Sequence, residues 1–171
     1  MRFEDYIDRV RPVGVLYVDV HPFTVVGDAI QFLVLRRRSD NELLPADWQT
    51  VSGKLLPDER IVDGFNRQVS KKTGLMPERL FKLNSVATFF DEHYDTVMLV
   101  PNAVALLPHE SIKIDTSLHD AHEWLELDEA LERLQWPTQK LAIRAIADAF
   151  QVDNGALRLV PGQILISEIK S

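Results

Sequence analysis

The sequence predicts an α+β domain: a central mixed sheet with helices packed on its faces. Three observations carry this. β-Branched and apolar runs come in two groups, a helix with readable ends separates them, and a second helical stretch follows the last group. The first two runs, 13–20 and 29–35, flank the turn-like stretch 21–28 and predict paired strands. Arg36, Arg37 and Arg38 then open a polar loop reaching Asp47, and 48–51 reads as a short strand ending at Ser52 and Gly53. Between Glu59 and Thr73 the apolar residues Ile61, Val62, Phe65 and Val69 recur at helical intervals, with Gly74 placed as the residue that ends the helix. Gly64 inside it costs about 1 kcal/mol relative to alanine. Strand-like runs at 81–90 and 96–107 are joined by Asp91, Glu92, His93, Tyr94 and Asp95. A loop over 108–122 leads to Glu123-Trp124-Leu125. Asp128 then stands as N-cap of a helix over 129–135, and Pro137 heads another over 138–150. The tail, with Pro161-Gly162 at the middle of 156–169, predicts a terminal hairpin. The expected organisation is one domain over 1–152, extended by a hairpin over 153–171.

Composition narrows the function. A length of 171 residues, 46% hydrophobic and 26% charged, fits one globular domain. Nineteen basic against 26 acidic residues leave a net charge of −7, which disfavours nucleic acid and anionic membranes as partners. With no cysteine there is no disulfide framework and no thiol nucleophile. The opening residues carry no leader signature and no apolar run approaches 18 residues, so the expected location is cytoplasmic.

The chemistry sits between Gly53 and Leu75, which read GKLLPDERIVDGFNRQVSKKTGL. This segment resembles the box of the Nudix family of nucleoside-diphosphate-linked hydrolases, G-x5-E-x7-R-E-U-x-E-E-x-G-U, where U is a bulky aliphatic residue. Gly53, Glu59, Arg67, Val69, Gly74 and Leu75 fall on its positions, while Gln68, Lys71 and Lys72 stand where the family carries glutamates. The 13–150 stretch is also similar to bacterial members acting on nucleoside triphosphates and to those acting on diadenosine polyphosphates. The resemblance implies the Nudix fold, an α/β/α sandwich, and for Glu59 and Arg67 an architectural contact between loop and helix.

The family needs its glutamates because hard cations such as Mg²⁺ or Mn²⁺ take oxygen ligands, chiefly carboxylates. Positions 68, 71 and 72 are i, i+3 and i+4 on a helix and are expected to converge on one patch. That patch carries −3 in the family and +2 here, a swing of five charge units. No metal is therefore expected, and the leading reading is a Nudix-fold protein that binds a nucleotide or related phosphorylated ligand with little or no Mg-dependent hydrolysis. The expected contacts are Arg36, Arg38, Gly53, Lys71 and Lys72. Lys71 and Lys72 equally fit two solvated lysines at a helix C-terminus, and the arginines fit surface ion pairs.

Two alternatives remain open. One is an active pyrophosphohydrolase taking Mg or Mn on ligands from outside the box: Glu59, the 91–95 acids, Glu110, Asp115 or Asp120, with Leu118 near the family's loop glutamate. The other is a structural or interaction module with a vestigial groove, and a homodimer is compatible with each. The polar groups at 91–95 and at His119, Asp120, His122 and Glu123 have metal-like composition, but a hairpin tip and a solvated loop explain them as well.

Overall fold

The computed structural model describes residues 13–41 and 45–170; the first twelve residues of the expected domain and part of the expected 36–47 loop lie outside them. In chain order the strands β1 (Val13–Gly14), β2 (Tyr17–Val26), β3 (Ala29–Arg37), β4 (Trp48–Gln49) and β5 (Val51–Lys54) precede helix α1 (Ile61–Thr73). Strands β6 (Arg79–Asp91), β7 (Thr96–Leu106) and β8 (His119–Leu125) follow, then helices α2 (Leu127–Arg133) and α3 (Pro137–Ala149). The chain closes with β9 (Phe150–Asp153), β10 (Ala156–Leu159) and β11 (Ile166–Glu168).

The main sheet runs β11-β6-β7-β2-β3-β4, with β1 added to β7, β5 to β2 and β8 to β3. It is mixed: β7 lies parallel to β1 and β2, while the other pairs are antiparallel. Alternation along the strands sends apolar residues to both faces. On one face Val18, Val20, Leu33, Leu35 and Ala103 pack against Phe65 and Val69 of α1. On the other, Phe23, Phe32, Val34 and Val104 pack against Ile143 and Ile146 of α3 and Ala130 of α2. This is the predicted sandwich.

Strand β2 departs from the expected pattern. The turn-like stretch 21–28 is strand as far as Val26, and only Gly27 and Asp28 turn. β2 pairs with β5 through Val20 and with β3 from Phe23 onward, so the strand forks. Pro22, which has no N–H to give a ladder, falls in the gap between the two pairings. Cross-strand pairing thus overrides a local turn signal.

The tail also differs from the expected 153–171 hairpin. The tight turn is at Asn154 and Gly155, both at positive φ (49° and 74°), which joins β9 to β10. Segment 156–169 does not fold on itself. β11 instead pairs with β6 at Leu83, Lys82 and Phe81 and extends the main sheet, and Ile166 is buried in the α3-side core. Burial of Phe150 against Phe23 and Phe81 ends α3 one residue before the predicted limit. Helix α2 begins at Leu127, with Glu126 rather than Asp128 in the cap position.

Candidate ligand-binding site

The loop from Lys54 to Arg60 enters α1 through a clamp. Arg67 donates from Nε to Glu59 Oε1 and from NH2 to Glu59 Oε2, each at 2.6 Å, and from NH2 to the Lys54 carbonyl at 2.9 Å. The Leu56 N–H caps the same carboxylate at 2.9 Å. The Arg67 guanidinium and this N–H hold the Glu59 carboxyl down to about 2. Gly64 faces the clamp, and a Cβ there would meet Leu55 Cδ2 at 2.3 Å and Glu59 Oε2 at 3.3 Å. Both family-matching charges are spent on fixing loop to helix.

Gln68 lies buried one position on. Its Nε2 donates to the Lys54 carbonyl at 2.7 Å, and a Cβ on Gly53 would come within 2.2 Å of its amide. Gly53 is thus a packing position, bare because the Gln68 amide occupies the space above it.

The three positions expected to converge do not form one patch. Successive helical residues turn by about 100°, so Lys72 continues the buried stripe of Phe65, Gln68 and Val69, whereas Lys71 faces solvent. Lys72 is only 6% exposed, which corrects the reading of two solvated lysines. It makes no ion pair or hydrogen bond among the described residues. Burial, then the Arg37 guanidinium, pushes its ammonium down to about 8, with Asp19 and Asp115 opposing and Lys71 assisting.

Lys72 meets the sheet at the end of β3, which carries three consecutive arginines with different fates. Arg36 binds Asp120 at 2.6 Å and lies over the Trp48 ring, 5.7 Å from its centroid. Arg38 makes a two-point bond to Asp40. Arg37, between them, points to the α1 face with Leu33 and Leu35. Its Nε donates to the neutral Gln49 Oε1 at 3.1 Å.

Directly opposite Arg37 in the β3–β8 ladder is His119, on a strand where a solvated loop was expected. It is 2% exposed, and its Nδ1 has no hydrogen-bond partner among the described residues. Burial, then Lys72 and Arg37, lowers its pKa to about 4 against the pull of Asp115 and Asp120. A β-bulge between Arg36 and Arg37 sets Asp120 on the Arg36 side. His122 is exposed, so the 119–123 group is not brought together.

Neither polar cluster gathers ligands for a metal. Among the described residues no three His, Asp or Glu side chains converge in that way. At 91–95, Asp91 accepts the His93 and Tyr94 N–H groups at 3.0 and 3.2 Å, as a turn residue does. At the box positions a divalent cation would meet an amide nitrogen already donating to a carbonyl and a buried ammonium. The donor set does not fit Mg²⁺ or Mn²⁺.

A mixed sheet covered by helices on both faces, with a loop–helix element clamped by a glutamate–arginine pair, defines the fold of the nucleotide-linked hydrolases. The match of the NUDIX domain model to residues 18–146 makes the membership definite, and the chain belongs to the NUDIX family. Among solved structures, a Listeria monocytogenes protein classed as a NUDIX hydrolase is 24% identical, with a TM-score of 0.67 over 77% of this chain and 90% of its own. The NUDIX domain of Shewanella oneidensis NrtR, solved with ADP ribose, is 19% identical, with a TM-score of 0.65 over 86% and 98%. An Ap4A hydrolase of C. elegans is 14% identical, with a TM-score of 0.62 over 78% and 96%. These likenesses are of fold. No curated protein matches the sequence.

Sequence reasoning takes Arg36, Arg37 and Arg38 together as candidate phosphate contacts without separating Arg37 from its neighbours, and reads His119 as a metal-like or loop residue. Arg37 could have been separated from its neighbours by strand alternation, since it shares parity with Leu33 and Leu35. For His119 the signal was weak, because its strand carries four charged or histidine residues among seven, His119, Asp120, His122 and Glu123.

Proposed function

We propose that this NUDIX domain binds a nucleotide or a related phosphorylated small molecule without a divalent cation, and hydrolyses it little or not at all. The supporting observation is the buried, unpaired ammonium of Lys72 at a box position where a metal-binding carboxylate would be expected. A buried cation without a counter-charge is costly in the empty protein and becomes favourable once an anion joins it. Structural relatives include a domain solved with ADP ribose and an Ap4A hydrolase, so phosphate-linked nucleotides are the class to try first. Arg36, Arg38 and Lys71 would act from the rim, since each is at the surface or held in an exposed ion pair. Among the described residues no helix is long and apolar enough to cross a membrane. With the net charge of −7 and the absence of cysteine, this favours a cytoplasmic setting.

The test is a thermal-shift and calorimetric screen of ADP-ribose, diadenosine tetraphosphate and ATP, in chelator and in Mg²⁺, with phosphate release followed in parallel. Stabilisation in chelator without release is the expected result. Turnover that chelator abolishes would instead establish an active hydrolase with ligands such as Glu59 or Asp115. No binding under either condition would leave an interaction module.

A further inference from the structure

We propose that Arg37, Lys72 and His119 together form a phosphoryl-binding subsite that takes a phosphate or pyrophosphate group directly. This rests on the ligand-binding reading above and adds two residues to it, on three independent observations.

The first is where the charges are left over. Arg36, Arg38, Arg67, Arg79 and Arg133 each pair with a carboxylate, respectively Asp120, Asp40, Glu59, Glu168 and Glu123. Arg37 has only the neutral Gln49 oxygen on its Nε and no carboxylate among the described residues. Lys72 has none either. The second is that the surrounding acids are committed. Asp115 accepts from the Ser117 N–H at 3.0 Å and from the Ser117 hydroxyl, Asp120 from Arg36 and the Ser39 N–H, and Asp19 lies against Gln139 Nε2 at 3.5 Å. These acids offset part of the local positive charge through space, and none of them bonds Lys72 or the Arg37 guanidinium. The third is the orphan Nδ1 of His119, a buried polar atom in the field of both cations. Leaving such an atom unpaired costs free energy that a ligand hydrogen bond recovers.

Geometry favours a phosphoryl oxygen cluster over a carboxylate. Arg37 and His119 are cross-strand partners on the sheet face that α1 covers, and Lys72 comes from the helix above them, so the cations and the ring line the space between helix and sheet. A planar guanidinium, a compact ammonium and a single ring N–H suit a tetrahedral anion with several acceptor oxygens. A neutral His119 supplies its Nδ1–H in the tautomer that the ligand selects.

The experiment titrates inorganic pyrophosphate and inorganic phosphate into the full chain by calorimetry, in chelator and at low salt. Arg37→Gln, His119→Gln, Lys72→Met and Lys72→Arg are compared with Arg79→Gln, whose partner Glu168 lies outside the subsite. Pyrophosphate affinity is expected to fall at least tenfold in Arg37→Gln, His119→Gln and Lys72→Met and to hold within threefold in Arg79→Gln, with partial retention in Lys72→Arg. Nitrogen NMR of the His119 ring is expected to move on addition of pyrophosphate to wild type, which a purely structural histidine would not do. Equal affinity in the Arg37 and His119 variants, or an unmoved ring, overturns the proposal even where ADP-ribose or ATP still binds. If neither those nucleotides nor pyrophosphate binds, the ligand-binding reading itself falls.

Discussion

Helix α1 carries two kinds of buried or half-buried charge within a few residues of each other. At its middle Arg67 is matched by Glu59, with both carboxylate oxygens and two backbone groups engaged. At its end Lys72 is buried on the sheet side, with no ion pair or hydrogen bond among the described residues and only the through-space pull of Asp19 and Asp115. The first arrangement is what a fold does with charge when geometry alone is at stake, because the guanidinium and the carboxylate meet at two points. In the second, the protein tolerates an unfavourable charge in the empty state, and selection for stability alone would favour methionine or leucine there. The clamp fixes the loop to the helix, and the lysine is the charge that the proposed ligand would match.

That comparison breaks most directly at Lys72. A base whose folded pKa is depressed to about 8 binds fewer protons folded than unfolded between about 8 and its usual 10.5. The penalty is fully present below about 8, on the order of 3 kcal/mol, and fades as pH rises toward 10.5. Lys72→Met is therefore expected to raise stability at pH 7, with the gain over wild type shrinking above pH 8. Urea unfolding of both proteins at pH 7 and pH 10 measures this. A destabilised Lys72→Met at pH 7 would mean that the ammonium has a partner in solution.

Much of the fold is legible in the sequence because its signals are local: the stripe of Ile61, Val62, Phe65 and Val69, Gly74 at a φ of 73°, and the Asp91–Asp95 turn. What was misread depends on distant partners. His21 to Val26 form strand because β7 and then β3 pair with them, and Ile166 leaves the tail because β6 offers an edge. The same holds at the site. Glu59, Arg67 and Gly53 could be placed from spacing alone, and so could the substitutions at 68, 71 and 72. That Lys72 is buried while Lys71 is not follows from the stripe, since 65, 69 and 72 share a face. The partner of Arg37 was not legible, because the β3–β8 register sets it across more than eighty residues.

His119 extends the same comparison into acid. Its folded pKa of about 4 lies below the usual 6.5, so the unfolded chain takes up a proton first as pH falls. Stability is unaffected above about 6.5, declines between 6.5 and 4, and carries the full penalty below 4. At pH 5 the loss is about 2 kcal/mol. His119→Gln is expected to flatten the stability profile over this window, and the readout is the denaturation midpoint at half-unit pH steps. An unchanged slope would place the titrating group elsewhere.

At the clamp the sign is reversed. Glu59 is held at about 2, below its usual 4.5, so its contribution is complete above 4.5 and is lost as pH falls toward 2. Arg67→Met is expected to lower Tm by roughly 3–6 °C at pH 7. The gap from wild type should narrow below pH 4.5, once protonation does in wild type what the substitution does outright. Scanning calorimetry at pH 7 and pH 3 gives both numbers. The same variant should leave the Lys72 pH dependence intact, since the two charges lie in separate networks.

The smallest expected effect separates helix propensity from packing at the clamp. Gly64 lies in the N-terminal half of α1, where propensity alone favours alanine by about 1 kcal/mol. The added methyl would sit 2.3 Å from Leu55 Cδ2 and 3.3 Å from Glu59 Oε2, inside van der Waals contact for both. Leu55 belongs to the loop that Glu59 and Arg67 hold, so relief requires moving that loop off the helix. Overpacking of this kind costs about 1–3 kcal/mol, which outweighs the propensity gain. Gly64→Ala is thus expected to lower stability by about 1 kcal/mol and to raise the Glu59 pKa toward 4.5, as the carboxylate loses its two-point contact. Denaturant midpoints and carboxyl-carbon NMR of Glu59 measure the two effects. A more stable Gly64→Ala with the Glu59 pKa unmoved would show that the loop yields freely, and that the glutamate–arginine bond holds the helix entry without help from close packing.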